Sequence, residues 1–448
     1  MSLAIVSDRA FFSKKKLLVL AVCANLLLLG YYKYADFFLA SIYLVSGFKK
    51  IDINIILPIG ISFFTFTQIA FLIDTYQGKV KEFNFIHYTL FVTYFPHLIA
   101  GPVLHHKEMM PQFGEKKNYL PSADNFAIGI SIFIIGLIKK VIIADSVAPL
   151  ASPIFQPEAH PALLEAWIGA LAYTMQLYFD FSGYSDMAIG LSRMFGVRLP
   201  LNFNSPYKAD NIIDFWRRWH MTLSRFLRDY LYIPLGGNRN GTFARFRNLF
   251  ITMLLGGLWH GAGWTYVIWG GLHGVYLVVN HGWHALIQKL GLPEKKSLLR
   301  KIMARCLTFV SVVIAWVFFR SPDFATAIDI LSGMTGMNGI SLPAWTKSQL
   351  DWLEFFGWPV KFEGIRYIDF GSTGFSVLII AIGLVWLTPN TQEIMRDIEP
   401  CLESVIPNKS IAPIKWQLST TWLIFISIGF LLCIFNMNKV SEFLYFQF

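Results

Sequence analysis

The stretch that decides the fold reads LNFNSPYKADNIIDFWRRWHMTLSRFLRDYLYIPLGGNRNG over residues 201–241 and NLFITMLLGGLWHGAGWTYVIWGGLHG over residues 248–274. It holds two histidines in unlike surroundings. His220 closes a cluster of tryptophans and arginines, whereas His260 lies in an uncharged, glycine-rich run. The two halves of the stretch therefore predict two different local structures.

A helix over the first half would place large apolar side chains on one face and arginines on the other, at about 100° per residue. The apolar face would hold Trp216, Trp219, Leu223, Phe226, Leu227 and Tyr230, and the basic face Arg217, Arg218, Arg225 and Arg228. We expect His220 at the boundary between the faces. Such a helix suits either a membrane interface or a phosphate-bearing ligand, and the residues alone leave both functions open.

The second half carries the stronger functional signal. Glycines 256, 257, 261 and 263 surround His260 and allow another backbone or a ligand to come close. A histidine at membrane depth needs a partner or a water-filled cavity, so we predict a functional role for His260. His273, later in the run, is predicted to be a structural core histidine.

Composition places the chain in a membrane. Of 448 residues, 55% are hydrophobic and only 15% are charged, and the mean hydropathy is +0.50; soluble domains carry about 25% charged residues. We predict one membrane domain over residues 1–448, with a short basic segment over residues 1–16. The net charge of +10 fits basic loops beside anionic lipid, and the lack of a long basic tract argues against nucleic acid as a partner.

Apolar runs predict about ten membrane-spanning helices and exclude a barrel, which would need many alternating strands. The first is an uncleaved span that follows Lys16. Further spans are expected near Asn54–Ile73, Phe85–Leu104, Asn125–Ala144, Leu163–Phe181, Asn248–Trp259, Trp264–Val279, Met303–Phe319, Phe375–Leu387 and Leu418–Phe435. Shorter runs, expected to be re-entrant or interfacial, are Phe37–Gly47, Asp186–Met194 and Phe324–Met334.

Polar residues interrupt two of these spans. Lys139 and Lys140 lie inside one, where a charge must snorkel or face a cavity. The segment FDFSGYSDMAIG, residues 179–190, sets Asp180 and Asp186 among apolar residues, and we expect a helix break there.

The segment Ser205–Arg247 has eight basic and three acidic residues, which predicts a cytoplasmic location. From Asn248 to His260 is twelve residues, or about 18 Å of helix, a little over half of the roughly 30 Å hydrocarbon thickness. We therefore expect His260 near mid-membrane. A cavity that opens beside His220 would lead to it, so that the two histidines converge.

Metal and disulfide sites are not expected. Cys23, Cys306, Cys401 and Cys433 are far apart in sequence and form no CxxC motif. Adjacent residues on a helix diverge by about 100°, so the neighbours at positions 105 and 106, both histidines, should make a poor chelating pair.

Two kinds of chemistry suit a buried His260. A neutral imidazole can take the proton of a hydroxyl that attacks a thioester. A single buried histidine is equally compatible with a proton-coupled transporter. The residues alone leave enzyme and transporter open.

Several blocks resemble the membrane-bound O-acyltransferase (MBOAT) family, in particular the bacterial branch that serves alginate O-acetylation. They are YFDFSGYSDMAIGLSRMFGVRLPLNFNSPY, FWRRWHMTLSRFLRDYLYIPLGGNR, LLGGLWHGAGWTYVIWGGLHG, PIGISFFTFTQIAFLID, FPHLIAGPVLHHKEMMPQF and the terminal FLYFQF. The resemblance covers roughly Lys33 to the C-terminus. It implies an all-α, polytopic ring of about ten or more helices around a central funnel with re-entrant segments.

The resemblance also implies the chemistry. The histidine of the WHG block, which matches His260, is the expected catalytic residue, and that of the FWRRWH block, which matches His220, is the second. We predict that the donor-binding residues beside them are Arg217, Arg218, Trp216, Asn204 and Trp259, with acetyl-CoA as donor, no bound cofactor and no metal.

The resemblance implies that an acetyl group crosses the inner membrane to periplasmic acetyltransferase partners that modify an exopolysaccharide, with alginate as the expected polymer. Cellulose, another exopolysaccharide or a teichoic acid are alternative acceptors. Family members usually begin with further membrane segments before the equivalent of Leu17, so we expect a ring without its first hairpin or a truncated start.

Overall fold

The computed structural model describes residues 12–47, 55–98, 101–291, 297–355, 360–362, 364–403 and 414–437, together with Ser2, Ile5 and Leu444. Most of the basic segment over residues 1–16 and all but one residue of the FLYFQF block lie outside the described residues. Residues 341–369 and 397–415 are described only in part.

Helices dominate the described chain, which confirms the predicted all-α class. They are α1 Lys14–Ser46, α2 Ile61–Tyr76, α3 Phe85–Thr93, α4 His106–Phe113, α5 Ala123–Ala151, α6 Leu163–Met194, α7 Ile212–Trp216, α8 Met221–Leu227, α9 Gly241–His260, α10 Trp264–Lys289, α11 Leu298–Arg320, α12 Phe324–Met334, α13 Lys347–Leu350, α14 Trp352–Phe355, α15 Thr373–Leu387, α16 Thr391–Ile394 and α17 Thr420–Asn436. Strands β1 (Ile340–Ser341) and β2 (Val360–Lys361) form a short parallel pair.

Three helices of the described chain, α1, α5 and α11, are long and apolar enough to cross a membrane by length and composition. Helices α12, α15 and α17 are apolar but shorter. The predicted span over residues 85–104 is interrupted: α3 ends at Thr93, and a single 3-10 turn, Phe95–His97, follows at Pro96. The chain is a polytopic, membrane-embedded helical protein.

Helices α5 and α6 form the central pair of the fold, and glycines bring their backbones together. A Cβ atom on Gly129 would lie 2.5 Å from the carbonyl oxygen of Gly190, and one on Gly136 would lie 2.5 Å from that of Gly183. Any larger side chain would force the helices apart. This contact aligns the polar face of α6 with α5.

The expected break in the segment 179–190 is wrong. Helix α6 runs for 32 residues through the whole segment, because its buried carboxylates find cationic partners on α5. Lys139 donates to Asp186 Oδ2 at 2.6 Å, and Lys140 pairs with Asp180 Oδ1 and with Asp145 Oδ1, each at 2.8 Å.

A π-helical turn, Lys139–Ala144, lies in α5 at the two lysines. Such a turn shifts the register of the side chains that follow it. Both ammonium groups thus reach carboxylates inside the protein, and neither lysine extends to the membrane surface.

Candidate active site

His220 lies between two short helices and not on one long one. Helix α7 ends at Trp216, α8 begins at Met221, and His220 has the left-handed backbone angles φ +43° and ψ +53°. The predicted continuous amphipathic helix is therefore wrong. The cause is the preceding strand-like segment: Asn204 N donates to Arg218 O at 2.9 Å, and Met221 N donates to Asn202 O at 3.0 Å, in place of helical bonds.

The predicted apolar face of this segment is buried within the protein. Trp219 is 2% exposed and packs against Trp316, with 5.0 Å between ring centroids, and Leu223 is 1% exposed. His220 itself is 0% exposed. The interpretation of this segment as a helix lying in the lipid interface, with a snorkelling histidine, is excluded.

Asn202 orients the His220 ring through a hydrogen bond to its Nδ1 atom. Its Oδ1 lies 3.0 Å from His220 Nδ1 and accepts the Thr222 hydroxyl at 2.9 Å. Because an amide oxygen can only accept, Nδ1 must carry the proton, and Nε2 is the basic nitrogen of the neutral ring. Burial lowers the pKa of His220 to about 3, so the ring is neutral near pH 7.

His260 is the last residue of α9. That helix begins at Gly241, seven residues before the expected entry at Asn248, and follows a turn at Gly236 and Gly237. Asn248, 0% exposed, secures the turn through bonds to Leu235 O at 3.1 Å and Gly237 O at 3.0 Å. The depth of His260 in a membrane stays a prediction.

The two histidines converge, as predicted. Their ring centroids lie 6.2 Å apart across a 61° interplanar angle, although forty residues separate them in sequence. His260 is 4% exposed, so it does not face lipid. Aromatic side chains surround its ring at centroid distances of 5.0–5.3 Å: Trp259, Trp269 and Phe319.

Lys33 fixes the end of the helix that carries His260. Its ammonium donates to Trp259 O at 2.6 Å, to His260 O at 3.3 Å and to Ser62 Oγ at 3.2 Å. The hydroxyl of Tyr34 donates to Leu258 O at 3.0 Å. The last carbonyls of a helix lack intrahelical partners and carry partial negative charge, so the half-buried Lys33 both caps and stabilises α9.

The glycines around His260 permit close approach, as predicted. A Cβ atom on Gly257 would lie 2.9 Å from Gly270 Cα, and one on Gly261 would lie 2.2 Å from the Tyr266 ring. Helix α10 thus packs directly on α9 and brings Trp269 against His260. The imidazole position depends on this helix pair.

A cavity of about 500 Å³ opens next to His220. It reaches Met221 and Thr222, the two residues after His220, but neither imidazole is among its lining residues, so a passage from it to His260 stays a prediction. Its charged and titratable lining consists of Arg217, Arg225, Arg228, His281 and Glu403. The described residues therefore place a basic chamber next to His220.

The arginines of the basic face differ in availability. Arg225 forms a bidentate pair with Glu108 at 2.7 and 2.8 Å. Arg218 pairs with Asp214 at 2.9 Å and does not line the cavity. Arg217 is exposed and lines the cavity, and no ion pair to it occurs among the described residues.

The other predicted donor-binding residues separate into two groups. Trp216 lines the cavity and donates to His273 Nδ1 at 3.3 Å; His273 is 0% exposed and lies in the aromatic core. Asn204 does not line the cavity; its Oδ1 accepts a hydrogen bond from Asn390 Nδ2 at 3.0 Å. Trp259 lies beside His220 and stacks on Phe66, with 5.0 Å between the ring centroids. Their roles in donor binding stay predictions.

The sequence did not predict two residues that orient the histidines, Asn202 and Lys33. Asn202 is an ordinary asparagine in a loop, and nothing in the sequence indicates that it reaches His220. Lys33 did carry a signal, since it is a lone charge within an apolar run and such a charge needs a buried partner. The partner itself, a helix end more than two hundred residues away, was not predictable.

His105 and His106 do converge, against the prediction that they diverge. His105 precedes α4 as its N-cap, with extended backbone angles, and His106 is the first helical residue, so the 100° rule for two helical neighbours does not apply. Both Nε2 atoms lie 3.0 Å from Asp74 Oδ2.

Comparison with known proteins supplies the context for this geometry. Residues 15–315 match the family described as MBOAT, membrane-bound O-acyltransferase family. The peptidoglycan O-acetyltransferase of Helicobacter pylori is 42% identical over 97% of this chain and 83% of its own length. The probable alginate O-acetylase of Pseudomonas aeruginosa is 46% identical over 78% of this chain and 65% of its own length. The teichoic acid D-alanyltransferase of Bacillus subtilis is 29% identical over 60% of this chain and 70% of its own.

Proposed function

The chain belongs to the membrane-bound O-acyltransferase family and is an O-acyltransferase, and on that premise we propose that it moves an acetyl group from cytoplasmic acetyl-CoA to a hydroxyl of an extracellular glycan. His260 is the general base in this proposal, and His220 positions the donor. The inner membrane of a bacterium is the proposed location.

One observation carries the proposal: the convergence of two buried imidazoles beside a basic chamber. The His220 and His260 rings are 6.2 Å apart. Aromatic side chains exclude water from His260, and a water-free site protects a thioester from hydrolysis. The tautomer fixed by Asn202 leaves a basic nitrogen on His220, able to accept a hydrogen bond or a proton.

The reaction balances with these groups alone. The acceptor hydroxyl gives its proton to the His260 imidazole while its oxygen attacks the acetyl carbonyl carbon. The carbon–oxygen bond of the ester forms, the carbon–sulfur bond of the thioester breaks, and the imidazolium returns the proton to the departing thiolate. The products are the acetyl ester and free coenzyme A.

The basic chamber is the proposed entrance for the donor. Coenzyme A carries phosphates, which guanidinium groups bind in bidentate geometry. Within the described part of the chain, Arg218, Arg225 and Arg228 pair with carboxylates, and no ion pair to Arg217 occurs, so its charge can meet a ligand. The thioester end would pass Met221 and Thr222 toward the histidines, and this step requires the packing around His220 to open.

The acceptor follows from the chemistry that the named relatives share. Two of them are named for O-acetylation of carbohydrate polymers, alginate and peptidoglycan. We propose a glycan hydroxyl as the final acceptor, reached through periplasmic acetyltransferase partners. Alginate, the expected polymer, remains one candidate beside peptidoglycan.

The decisive experiment is thioester cleavage by the purified protein. Detergent-solubilised protein incubated with acetyl-CoA, a periplasmic acetyltransferase partner and a glycan oligosaccharide should release free thiol in proportion to protein and time. A thioether analogue of acetyl-CoA, which cannot be cleaved, is the matched control and should release none. Proton transport in liposomes without any thiol release would favour the transporter alternative and overturn the proposal.

Sidedness needs its own test, because the segment 205–247 must face the cytoplasm for the donor to enter. Asn240→Cys, placed in the turn before α9, should resist an impermeant thiol reagent in intact spheroplasts and react once the membrane is opened. The background should have Cys23 and Cys306 replaced, since both thiols are exposed. Rapid labelling from outside would reverse the proposed direction of transfer.

A further inference from the structure

Four side chains outside the histidine pair converge at the end of helix α2. They are Asp74 on α2, His105 and His106 at the start of α4, and Tyr230 in the π-helical turn that follows α8. The side chains of Asp74 and His106 are each 5% exposed, and that of His105 is 12% exposed. The proposed acyl transfer uses none of them.

Their donor atoms point at one another. Asp74 Oδ2 lies 3.0 Å from each of the two histidine Nε2 atoms, and the Tyr230 hydroxyl lies 2.8 Å from Asp74 Oδ2 and 2.7 Å from His105 Nε2. One carboxylate oxygen, one phenol oxygen and two imidazole nitrogens therefore lie within hydrogen-bonding distance in one cluster.

The spacing suits a zinc ion. Ligands in a tetrahedral zinc site lie about 2.0–2.1 Å from the metal and so roughly 3.3 Å from one another. The ligand atoms of Asp74, His105 and His106 all lie within 4.8 Å of one another. Shifts of a few tenths of an ångström would open the cluster enough to admit the ion.

We propose that Asp74, His105 and His106 form a binding site for Zn²⁺, with the Tyr230 oxygen or a water molecule as the fourth ligand. Two imidazoles and one carboxylate are a ligand set that zinc accepts. A cavity of about 510 Å³ borders the cluster and supplies the entry path that a metal site requires.

The neighbouring charges set conditions on binding. Lys79 Nζ lies 3.9 Å from Asp74 Oδ1 and would repel the ion, but its side chain is 65% exposed and can swing into solvent. Lys107 and Asp229 line the same cavity, and Asp229 forms an ion pair with Arg228. Binding would require the Nε2 atoms of both imidazoles to be free of protons and the Asp74 carboxylate to be ionised.

Such an ion would connect three elements. Asp74 belongs to α2, the two histidines start α4, and Tyr230 continues the helix that begins directly after His220. Zinc bound here would restrain the segment that positions His220. The consequence is structural, and the site stands whether or not acyl transfer proceeds as proposed.

The test is metal binding by the whole protein, purified through an affinity tag without histidine. After treatment with a chelator and its removal, wild-type protein titrated with ZnCl₂ should bind about one ion per chain and melt at a higher temperature. Wild-type protein that binds no zinc under these conditions would overturn the site.

Variants locate the ion. Asp74→Asn, His105→Gln and His106→Gln should each lower zinc affinity at least tenfold, the usual range for loss of a first ligand or its support. His160→Gln is the matched control, because His160 also faces a carboxylate, Asp329 at 3.0 Å, but without a second histidine. It should bind zinc like the wild type.

Folding and function are read separately. Melting of each variant in chelator shows whether it folds; if Asp74→Asn does not, the two glutamine variants decide, since they preserve side-chain volume. Zinc bound equally by both glutamine variants places the ion elsewhere and refutes the site. Thiol release from acetyl-CoA, measured in parallel, keeps this outcome independent of the proposed acyl transfer.

Discussion

Two regions of the protein hold polar side chains inside a helical core by different means. Between α5 and α6, opposite charges meet: Lys139 with Asp186, and Lys140 with Asp180 and Asp145. Around His220 and His260, aromatic rings enclose the imidazoles, and the Lys33 ammonium binds the backbone carbonyls at the end of α9.

The difference indicates different roles. Paired charges satisfy one another and hold two helices in register, so their loss leaves a buried ion uncompensated. An imidazole within aromatic rings stays neutral and available to a substrate. We therefore expect variants in the charge-paired region to affect stability first, and variants in the histidine region to affect catalysis first.

The largest effect is expected at His260. His260→Gln should lower the rate of thiol release about 10²- to 10⁴-fold, the contribution of a general base, while the melting temperature changes little. Steady-state rates and thermal melting of the purified protein measure both. His160→Gln, an exposed histidine, is the control and should keep full activity. Substantial activity in His260→Gln would show that His260 is not the general base.

The opposite pattern is expected for Asp186→Ala. The change removes the acceptor of Lys139, of the Thr391 hydroxyl at 2.6 Å and of the Gln392 amide at 3.0 Å. Breaking a buried ion pair costs about 3–5 kcal/mol, so the protein should melt earlier and accumulate less in the membrane.

The control for that variant is Glu115→Ala. Glu115 pairs with Lys117 at the surface, where such pairs contribute about 0–1 kcal/mol, and its stability should be nearly unchanged. An Asp186→Ala protein as stable as Glu115→Ala would mean that the pairing between α5 and α6 is not structural.

Lys33 belongs to the histidine region and should behave accordingly. Lys33→Met removes the cap on the last carbonyls of α9 and loosens His260. We therefore expect kcat to fall about 10- to 10²-fold, which corresponds to one charge-assisted hydrogen bond of about 1.5–3 kcal/mol. KM for acetyl-CoA should hold, because Lys33 does not line the donor cavity. Lys33→Arg should restore part of kcat, and the exposed Lys16→Met should match the wild type. A change confined to KM would place Lys33 in donor binding.

The smallest effect separates two adjacent arginines. Arg217→Ala should raise KM for acetyl-CoA several-fold with kcat nearly constant, because Arg217 faces the cavity and its charge is available to phosphates. Arg218→Ala should leave KM unchanged, since Asp214 already holds that guanidinium. Initial rates over a range of donor concentrations, at low and high salt, distinguish the two. Equal effects of both substitutions would show that the cavity is not the donor entrance.

Much of the fold was predictable because apolar length and glycine placement are local properties. The bounds of α12, α15 and α17 lie within about two residues of the predicted runs. The unbroken α6 was not predictable, because its continuity depends on lysines from α5 that a single-helix argument cannot place. Likewise, the break at His220 arises from backbone bonds to residues 202 and 204, which compete with the helical pattern.

The site divides in the same way. His260 stands out in the sequence because histidine is rare within apolar segments, and His220 stands out because it closes the FWRRWH block that resembles the family. The residues that orient them, Asn202 and Lys33, act through long-range contacts. The prediction that His105 and His106 diverge is wrong because the 100° rotation applies only between two helical residues. His105 is the N-cap of α4 and has extended backbone angles.

The central claim is that the donor thioester reaches the His260 imidazole from the basic cavity, past His220. An experimental structure of the protein with the thioether analogue of acetyl-CoA bound tests it most directly. The account predicts phosphates near Arg217, the pantetheine arm beside His220, and the acetyl carbonyl close enough to His260 for an acceptor oxygen to lie roughly 3 Å from the imidazole. An analogue bound elsewhere, or an acetyl group separated from His260 by the intact aromatic wall, would contradict it.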